Sequence, residues 1–349
     1  LDEIMSKTIK KQFYEKLTFE KLLEAHRRAA EGKNTHSDVI LFEMDLESNI
    51  SNLLYKIKNK KYHMGKYHEF YVYEPKKRLI KSLPYVDRVV HQWYVEEFIK
   101  PFFCPRFISD SYACLVDKGA HKAVEKMQSY MRIMKRKYGE YYVLKCDIRK
   151  YFYTIDKNIL FSILERNIRD KELLEFTKVL IFDGDTEEKG IPIGNYTSQF
   201  FANIYLNELD HYVKEVLRVK YYIRYMDDFI LLVETKDEAI RLKKLITEFI
   251  ETNLKLELNE KSRYYPNKMG VDFCGYRIFE THRLLRKRSK TKIKKLIRNW
   301  NKFYALDELD IPTVIQRWNS WRGHARHANT YHLRTKYLNK IDFKEYLEI

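Results

Sequence analysis

The chain has 349 residues, with 66 Lys plus Arg against 49 Asp plus Glu and a formal net charge of +17. That length allows two or three modules around a large core, and the charge points to a polyanionic partner, nucleic acid above all. The four cysteines (Cys104, Cys114, Cys146, Cys274) form no C-x-x-C pair and no apolar run reaches membrane-spanning length, so a disulfide scaffold, a zinc module and a membrane protein are all disfavoured and a cytosolic setting is expected.

Helical periodicity runs through residues 13–31 (Phe13, Leu17, Leu22, Ala25, Ala29) up to Gly32, and again through 39–58 (Phe42, Leu46, Ile50, Leu53, Ile57). These segments are expected to pack rather than to carry chemistry. From 66 to 83 the pattern alternates like strands, around the turn Glu74-Pro75-Lys76-Lys77-Arg78. Such a basic turn either grips a triphosphate or is a solvated hairpin tip. Asp87 to Phe103 reads as an apolar-faced helix, and 120–137 as a helix with a basic end.

Residues 141–148 read as a buried strand that carries Asp147 near its end. Burying an unpaired charge costs several kcal/mol, so this carboxylate needs a partner, either Arg149 or a cation. Helices are expected from Asp156 onward and from Ile168 to Phe182, then a loop over Gly190–Asn195, and a long helix capped by Thr197 or Ser198. Next comes Tyr225-Met226-Asp227-Asp228, set between the apolar runs Tyr221–Ile223 and Phe229–Val233. This predicts a hairpin with two carboxylates at its tip. Adjacent like charges repel, and a fold keeps them when a cation lies between them; hard oxygens on a rigid turn suit Mg²⁺. A solvent-exposed Asp-Asp turn is the alternative.

A helix over 236–252 leads to an expected strand at Leu256–Leu258, and Val271–Phe279 is hairpin-like. From Arg283 to Lys302 there are ten basic residues and no carboxylate, which suits a phosphate backbone. Helices are expected at 291–304, 311–325 and 328–340. His324-x-x-His327 has metal-ligand spacing, but without a Cys or acidic neighbour it reads as packing or RNA contact.

Asp147 on one strand and Asp227-Asp228 on a later hairpin make a three-carboxylate set that resembles the palm of a reverse transcriptase, and the resemblance covers almost the whole chain. Lys76-Lys77-Arg78 resembles the fingers motif, Ser111–Ala120 the second conserved block, and Asp147–Phe152 the first palm motif. Gly190–Asn203 resembles the loop and helix under the nascent base pair, Leu258–Lys261 the following motif, and Phe273–Tyr276 the primer grip. Within the family the chain most resembles the reverse transcriptases of diversity-generating retroelements. The residues that carry this are Ile193-Gly194-Asn195-Tyr196-Thr197-Ser198-Gln199, with Asp87–His91, Gly270–Arg288 and Trp321–Ala325 in support. Intron and retroviral relatives usually have Gln at the position of Ile193, and intron relatives Pro at that of Gln199. Asp117 departs from the Gly expected there.

The resemblance implies an α+β right-hand polymerase fold. It places an N-terminal helical extension at 1–65, fingers at 66–140, and a palm at 141–280 whose antiparallel sheet is backed by helices, with finger elements inserted around 157–195. A helical thumb follows at 281–349. It implies an RNA-directed DNA polymerase making adenine-error-prone cDNA from a template-repeat RNA for mutagenic retrohoming, in the cytoplasm of a bacterium or archaeon or encoded by a phage. A retron-, defence- or intron-type enzyme, or an inactive RNA-binding relative, is the alternative. Asp147, Asp227, Asp228 and the Ile148 backbone would hold two Mg²⁺ ions, with Mn²⁺ as a substitute. Lys76, Arg78, Phe152, Ile193, Gly194 and Gln199 would meet the dNTP, Phe152 as steric gate. Lys261 would be a proton-donor candidate. Phe273, Cys274, Gly275 and Tyr276 would grip the primer, and Arg286, Lys287, Arg288, Lys292, Lys295 and Arg298 would hold nucleic acid. The implied partners are template RNA, cDNA or primer, dNTPs and a small, basic, helical, oligomeric accessory protein.

Overall fold

The computed structural model describes residues 8–73, 77–183 and 187–347, and among these nine strands form three sheets. Strands β1 (His68–Val72) and β2 (Arg78–Ser82) pair antiparallel as a lone hairpin; Lys76 in its turn lies outside the described residues. Strands β3 (Tyr142–Asp147), β4 (Tyr222–Tyr225), β5 (Asp228–Val233) and β6 (Arg263–Pro266) make a four-stranded sheet in the order β4-β5-β3-β6. Strands β7 (Val271–Phe273), β8 (Tyr276–Ile278) and β9 (Arg283–Leu285) form an antiparallel meander.

Several expected helices are divided or irregular. Thr18 accepts from the Lys21 amide, dividing 13–31 into Phe13–Lys16 and Phe19–Ala30. Met44 and Asp45 divide the next segment into Ser37–Glu43 and Leu46–Lys58. The helix beginning at Tyr85 passes through a π-turn at Val95–Ile99 before Lys100–Phe103. Asp170, not Ile168, opens Lys171–Phe182: its carboxylate accepts from the Leu173 amide and from the amides of Gln12 and Phe13 at 2.7 and 2.9 Å. Asn195, not Thr197 or Ser198, occupies the cap position of Tyr196–His211. Leu256–Leu258 is not a strand, since only Leu258 bridges to Ile148. β9 lies at the start of the 281–349 stretch expected as a helical thumb, and the helix expected at 291–304 already begins at Lys287.

The chain folds as two compact units built from interleaved segments. The first takes the chain up to Leu115, then Asp147–Val219 and Lys244–Lys261; the second takes Val116–Cys146, Lys220–Lys243 and the chain from Ser262 on. In the first, Trp93, Tyr94, Phe201 and Tyr205 are buried, and Phe13 and Phe176 pack edge-on against Trp93 at 5.8 and 5.6 Å between ring centres. In the second, Val143, Leu144, Phe229, Ile230 and Leu231 fill the sheet. Its last helices gather a separate core around Ile293, Ile297, Trp300, Val314 and Trp318. Each such side chain contributes about 1.5–3 kcal/mol on burial.

Candidate active site

β4 and β5 pair Tyr225 with Asp228, so Met226 and Asp227 form a two-residue loop. Met226 has φ +55°, the left-handed conformation that short hairpin loops impose, which costs a residue with a side chain about 1 kcal/mol or more. Beneath the loop, the buried Arg224 guanidinium donates to the Met226 carbonyl at 3.0 Å and holds the turn. Tyr222, Ile223 and Phe229–Val233 are buried, while Asp227 and Asp228 are half-buried. A solvated surface turn does not describe this hairpin. Lys145, on the neighbouring strand β3, donates to Asp228 Oδ2 at 2.9 Å and also to the Asp272 carbonyl.

Asp147 ends β3. Its carboxylate accepts from Asn259 Nδ2 at 3.0 Å and its carbonyl from the Asn259 amide at 2.7 Å. Arg149 is paired with Glu257 at 2.9 Å, so it is not the partner of Asp147 that the sequence offered. The bridge between Ile148 and Leu258 is made by the backbone of residues 147, 149, 257 and 259, and leaves the Ile148 carbonyl out of these bonds. The Lys261 amide donates to Asn259 Oδ1 at 3.1 Å, and its side chain is exposed. Among the described residues, no group of three His, Cys, Asp or Glu side chains forms a ready cage for a metal ion. A Mg²⁺ site here would need water and phosphate oxygens to complete it, which is how Mg²⁺ is usually bound.

A second cluster lies wholly within the first unit. The Phe152 carbonyl accepts from the Ile191 amide at 2.8 Å, and the Ile193 carbonyl accepts from the Lys81 amide of β2 at 3.0 Å. Gly194 has φ +132°, and a Cβ there would lie 2.8 Å from the Lys81 carbonyl, so glycine alone lets the loop approach β2 this closely. Phe152 and Ile193 are half-buried, and Arg78 and Gln199 are exposed. Thr197 Oγ1 is 2.8 Å from Nδ1 of the buried His91, whose pKa burial pushes down to about 3. A cavity of about 230 Å³ adjoins this loop, lined in part by Arg28, Lys33, Arg88, Gly194, Asn195 and Gln199.

In the second unit, β7 and β8 pair Phe273 with Tyr276 around Cys274 and Gly275, whose φ values are +45° and +92°. Two positive φ angles are what a tight hairpin turn of this length favours. The Cys274 thiol is pushed up to about 12, by burial first and then by the Asp228 charge. The Tyr276 hydroxyl meets His324 Nδ1 at 2.8 Å and His121 Nε2 at 3.3 Å, and His121 stacks on His327 at 3.5 Å. The histidine pair therefore packs, with His121 as a neighbour that spacing did not reveal. On the helix Lys287–Tyr304, Ile293, Ile297 and Trp300 face the core while Lys287, Arg288, Lys292, Lys295 and Arg298 are exposed. Arg286, just before it, pairs with Asp272.

Sequence reasoning gave Lys145 and Asn259 no role, although both touch the predicted carboxylates. Lys145 had a visible signal: a cation in an otherwise apolar strand core. Asn259 had none beyond its place in a motif.

A family model described as "Reverse transcriptase (RNA-dependent DNA polymerase)" matches residues 57–278. Among curated relatives, the group II intron-encoded protein LtrA of Lactococcus lactis is 21% identical over 306 residues, covering 66% of this chain and 50% of the relative. The putative COX1/OXI3 intron 2 protein of Saccharomyces cerevisiae is 24% identical over 197 residues, covering 38% of this chain and 23% of the relative. The chain thus spans half or less of the length of these relatives. Among solved structures, telomerase from Candida tropicalis in complex with a TWJ fragment of telomeric RNA aligns with a TM-score of 0.50 at 13% identity, over 73% of this chain and 53% of that one. Among the described residues no helix is long and apolar enough to cross a membrane.

Proposed function

Because the chain belongs to the reverse transcriptase family, whose model covers more than half of it, we propose that it is an RNA-directed DNA polymerase centred on the β4–β5 tip. Its fold is that of the family, α+β with antiparallel sheets backed by helices. The observation that carries the reading is the hairpin itself: two adjacent carboxylates, one on a strained loop propped by a buried arginine, the other at the start of β5 and neutralised by a lysine. Evident disadvantages for folding at one turn suit a site kept for its chemistry.

Asp147, Asp227, Asp228 and the Ile148 carbonyl would hold two Mg²⁺ ions. The donor set fits: all are hard oxygens, and Asp228 already accepts a cation. When bound, the ions lower the pKa of a primer 3′-hydroxyl and stabilise charge on the transferring phosphate. Asn259 keeps the Asp147 carboxylate oriented. Arg78, with Lys76, clamps the triphosphate, and Gln199 lies on the same nucleotide side. Phe152 crowds a 2′-hydroxyl and so selects deoxynucleotides. Lys261 is the candidate proton donor to pyrophosphate. Phe273–Tyr276 position the primer end, and the basic face from Arg286 to Arg298 holds the duplex. Fingers, palm and thumb follow the boundaries 66–140, 141–280 and 281–349.

Within the family, Ile193–Gln199 favours the diversity-generating class, copying a template-repeat RNA in the cytoplasm beside a small basic accessory protein. Ile193 cannot hydrogen-bond as an amide would, and losing that constraint reduces base discrimination by about 1–3 kcal/mol. An intron-type enzyme is the second reading, favoured by the two intron-encoded relatives.

The test is dNTP incorporation on a template-repeat RNA with Mg²⁺, followed by cDNA sequencing. Wild-type protein should incorporate, and Asp227→Ala should lose at least about a thousandfold in rate, about 4 kcal/mol in the barrier. Activity that survives Asp227→Ala rejects the assigned centre. Errors concentrated at template adenine, and reduced by Ile193→Gln, support the diversity-generating class. An even error spectrum points to the intron type.

A further inference from the structure

Strand β3 carries two charges, Lys145 and Asp147, and the pleat sets residues two apart on the same face. Lys145 Nζ lies 2.9 Å from Asp228 Oδ2, with the two side chains 23% and 25% exposed. The same ammonium donates to the backbone carbonyl of Asp272 on β7. The Asp272 carboxylate pairs with Arg286, which directly precedes the basic helix Lys287–Tyr304. A continuous polar path therefore runs from the acidic tip through β3 to β7 and the root of that helix.

The tip needs positive charge whether or not a metal is bound, because two adjacent carboxylates repel. Lys145 supplies it within the chain. We propose that Lys145 is a positioning residue, an internal counter-ion that holds Asp228 until divalent ions enter, and that it thereby sets the Mg²⁺ concentration at which the site fills. This rests on the polymerase reading above. A lysine and a divalent ion that draw on one carboxylate compete for it, since each weakens the other through like-charge repulsion. The Asp272 carbonyl gives the ammonium a partner it keeps when Asp228 turns to a metal. The bonds to Asp272 join this exchange to the start of the basic helix.

The experiment is thermal melting of the full chain without nucleic acid, over a MgCl₂ titration at constant ionic strength, for wild type, Lys145→Gln and Lys145→Arg. The Gln variant should melt lower in the absence of Mg²⁺. It should then gain more from the ion than wild type does, with half the effect reached at about threefold less Mg²⁺ or lower. The Arg variant keeps the charge and should follow the wild-type curve. A purely structural lysine would give a constant offset at every Mg²⁺ concentration, and that result overturns the proposal, as does an Arg variant that behaves like Gln. To cover a Gln variant that fails to fold, the same change is made beside Asp228→Asn, where no stranded charge remains. There the Mg²⁺ response should be the same with and without Lys145, and a difference overturns the proposal. Failure of the polymerase reading shows separately, as absence of incorporation by wild-type protein.

Discussion

Two hairpins of this protein carry charge at their tips and are built in opposite ways. In β1–β2 every residue of β1 is exposed, and Tyr71 and Tyr73 stand in solvent with the Lys77 ammonium 4.2 Å from the Tyr71 ring centre. In β4–β5 nearly every strand residue is buried, and only the acidic loop and its two flanking residues reach the surface. One presents cations against aromatic faces; the other presents carboxylates from within a packed sheet. Groups that must fix ions need a geometry held to fractions of an ångström, which a buried strand pair provides. Groups that close on a nucleotide and let it go do better on an element with few buried contacts.

The contrast is open to direct attack. Phe229→Ala, which empties a fully buried position of β5, should destabilise the protein by about 3–5 kcal/mol in urea melts, whereas Phe70→Ala on exposed β1 should stay within about 0.5 kcal/mol. Equal losses would mean that β1–β2 is as firmly packed as β4–β5. Gly194→Ala drives a methyl toward the Lys81 carbonyl from a backbone that side chains rarely adopt, so about 2 kcal/mol of stability should go, with a raised KM for dNTP. No change would mean that the loop is not fastened to β2 as described. The mildest test is acid. The folded protein keeps His91 neutral down to about pH 3, while the unfolded chain protonates near 6.5. Below 6.5 the unfolded state binds more protons, so stability should fall as pH drops, by up to about 1.4 kcal/mol per unit from this residue. Melting between pH 7 and 5 should show this slope, and His91→Gln should flatten it.

How much of this was readable beforehand depends on whether the determining contact was local. The β4–β5 hairpin was legible because apolar runs on each side of two acids are a pattern within thirteen residues, and the structure moves its edges by two residues at most. The breaks at Thr18 and Asp45 were not, because the apolar period continues across them. Asp170 caps its helix through a local bond to Leu173, but its bonds to Gln12 and Phe13, 158 and 157 residues away, could not be read from the sequence. At the candidate site the carboxylates stood out as residue types, yet the groups that orient them did not. Asn259 touches Asp147 across 112 positions, and Lys145 touches Asp228 across 83. Conversely, the Arg149 pairing rested on adjacency alone: Arg149 lies past the end of β3, in a turn, and its side chain pairs with Glu257.

The sulfur at the β7–β8 turn has a chemical consequence. Alkylation and oxidation proceed through thiolate, and Cys274, with its proton held to about pH 12, offers almost none under physiological conditions. Cys104, held to about 11, is nearly as inert. A thiol-alkylating reagent should therefore react more slowly at this turn than with a free cysteine.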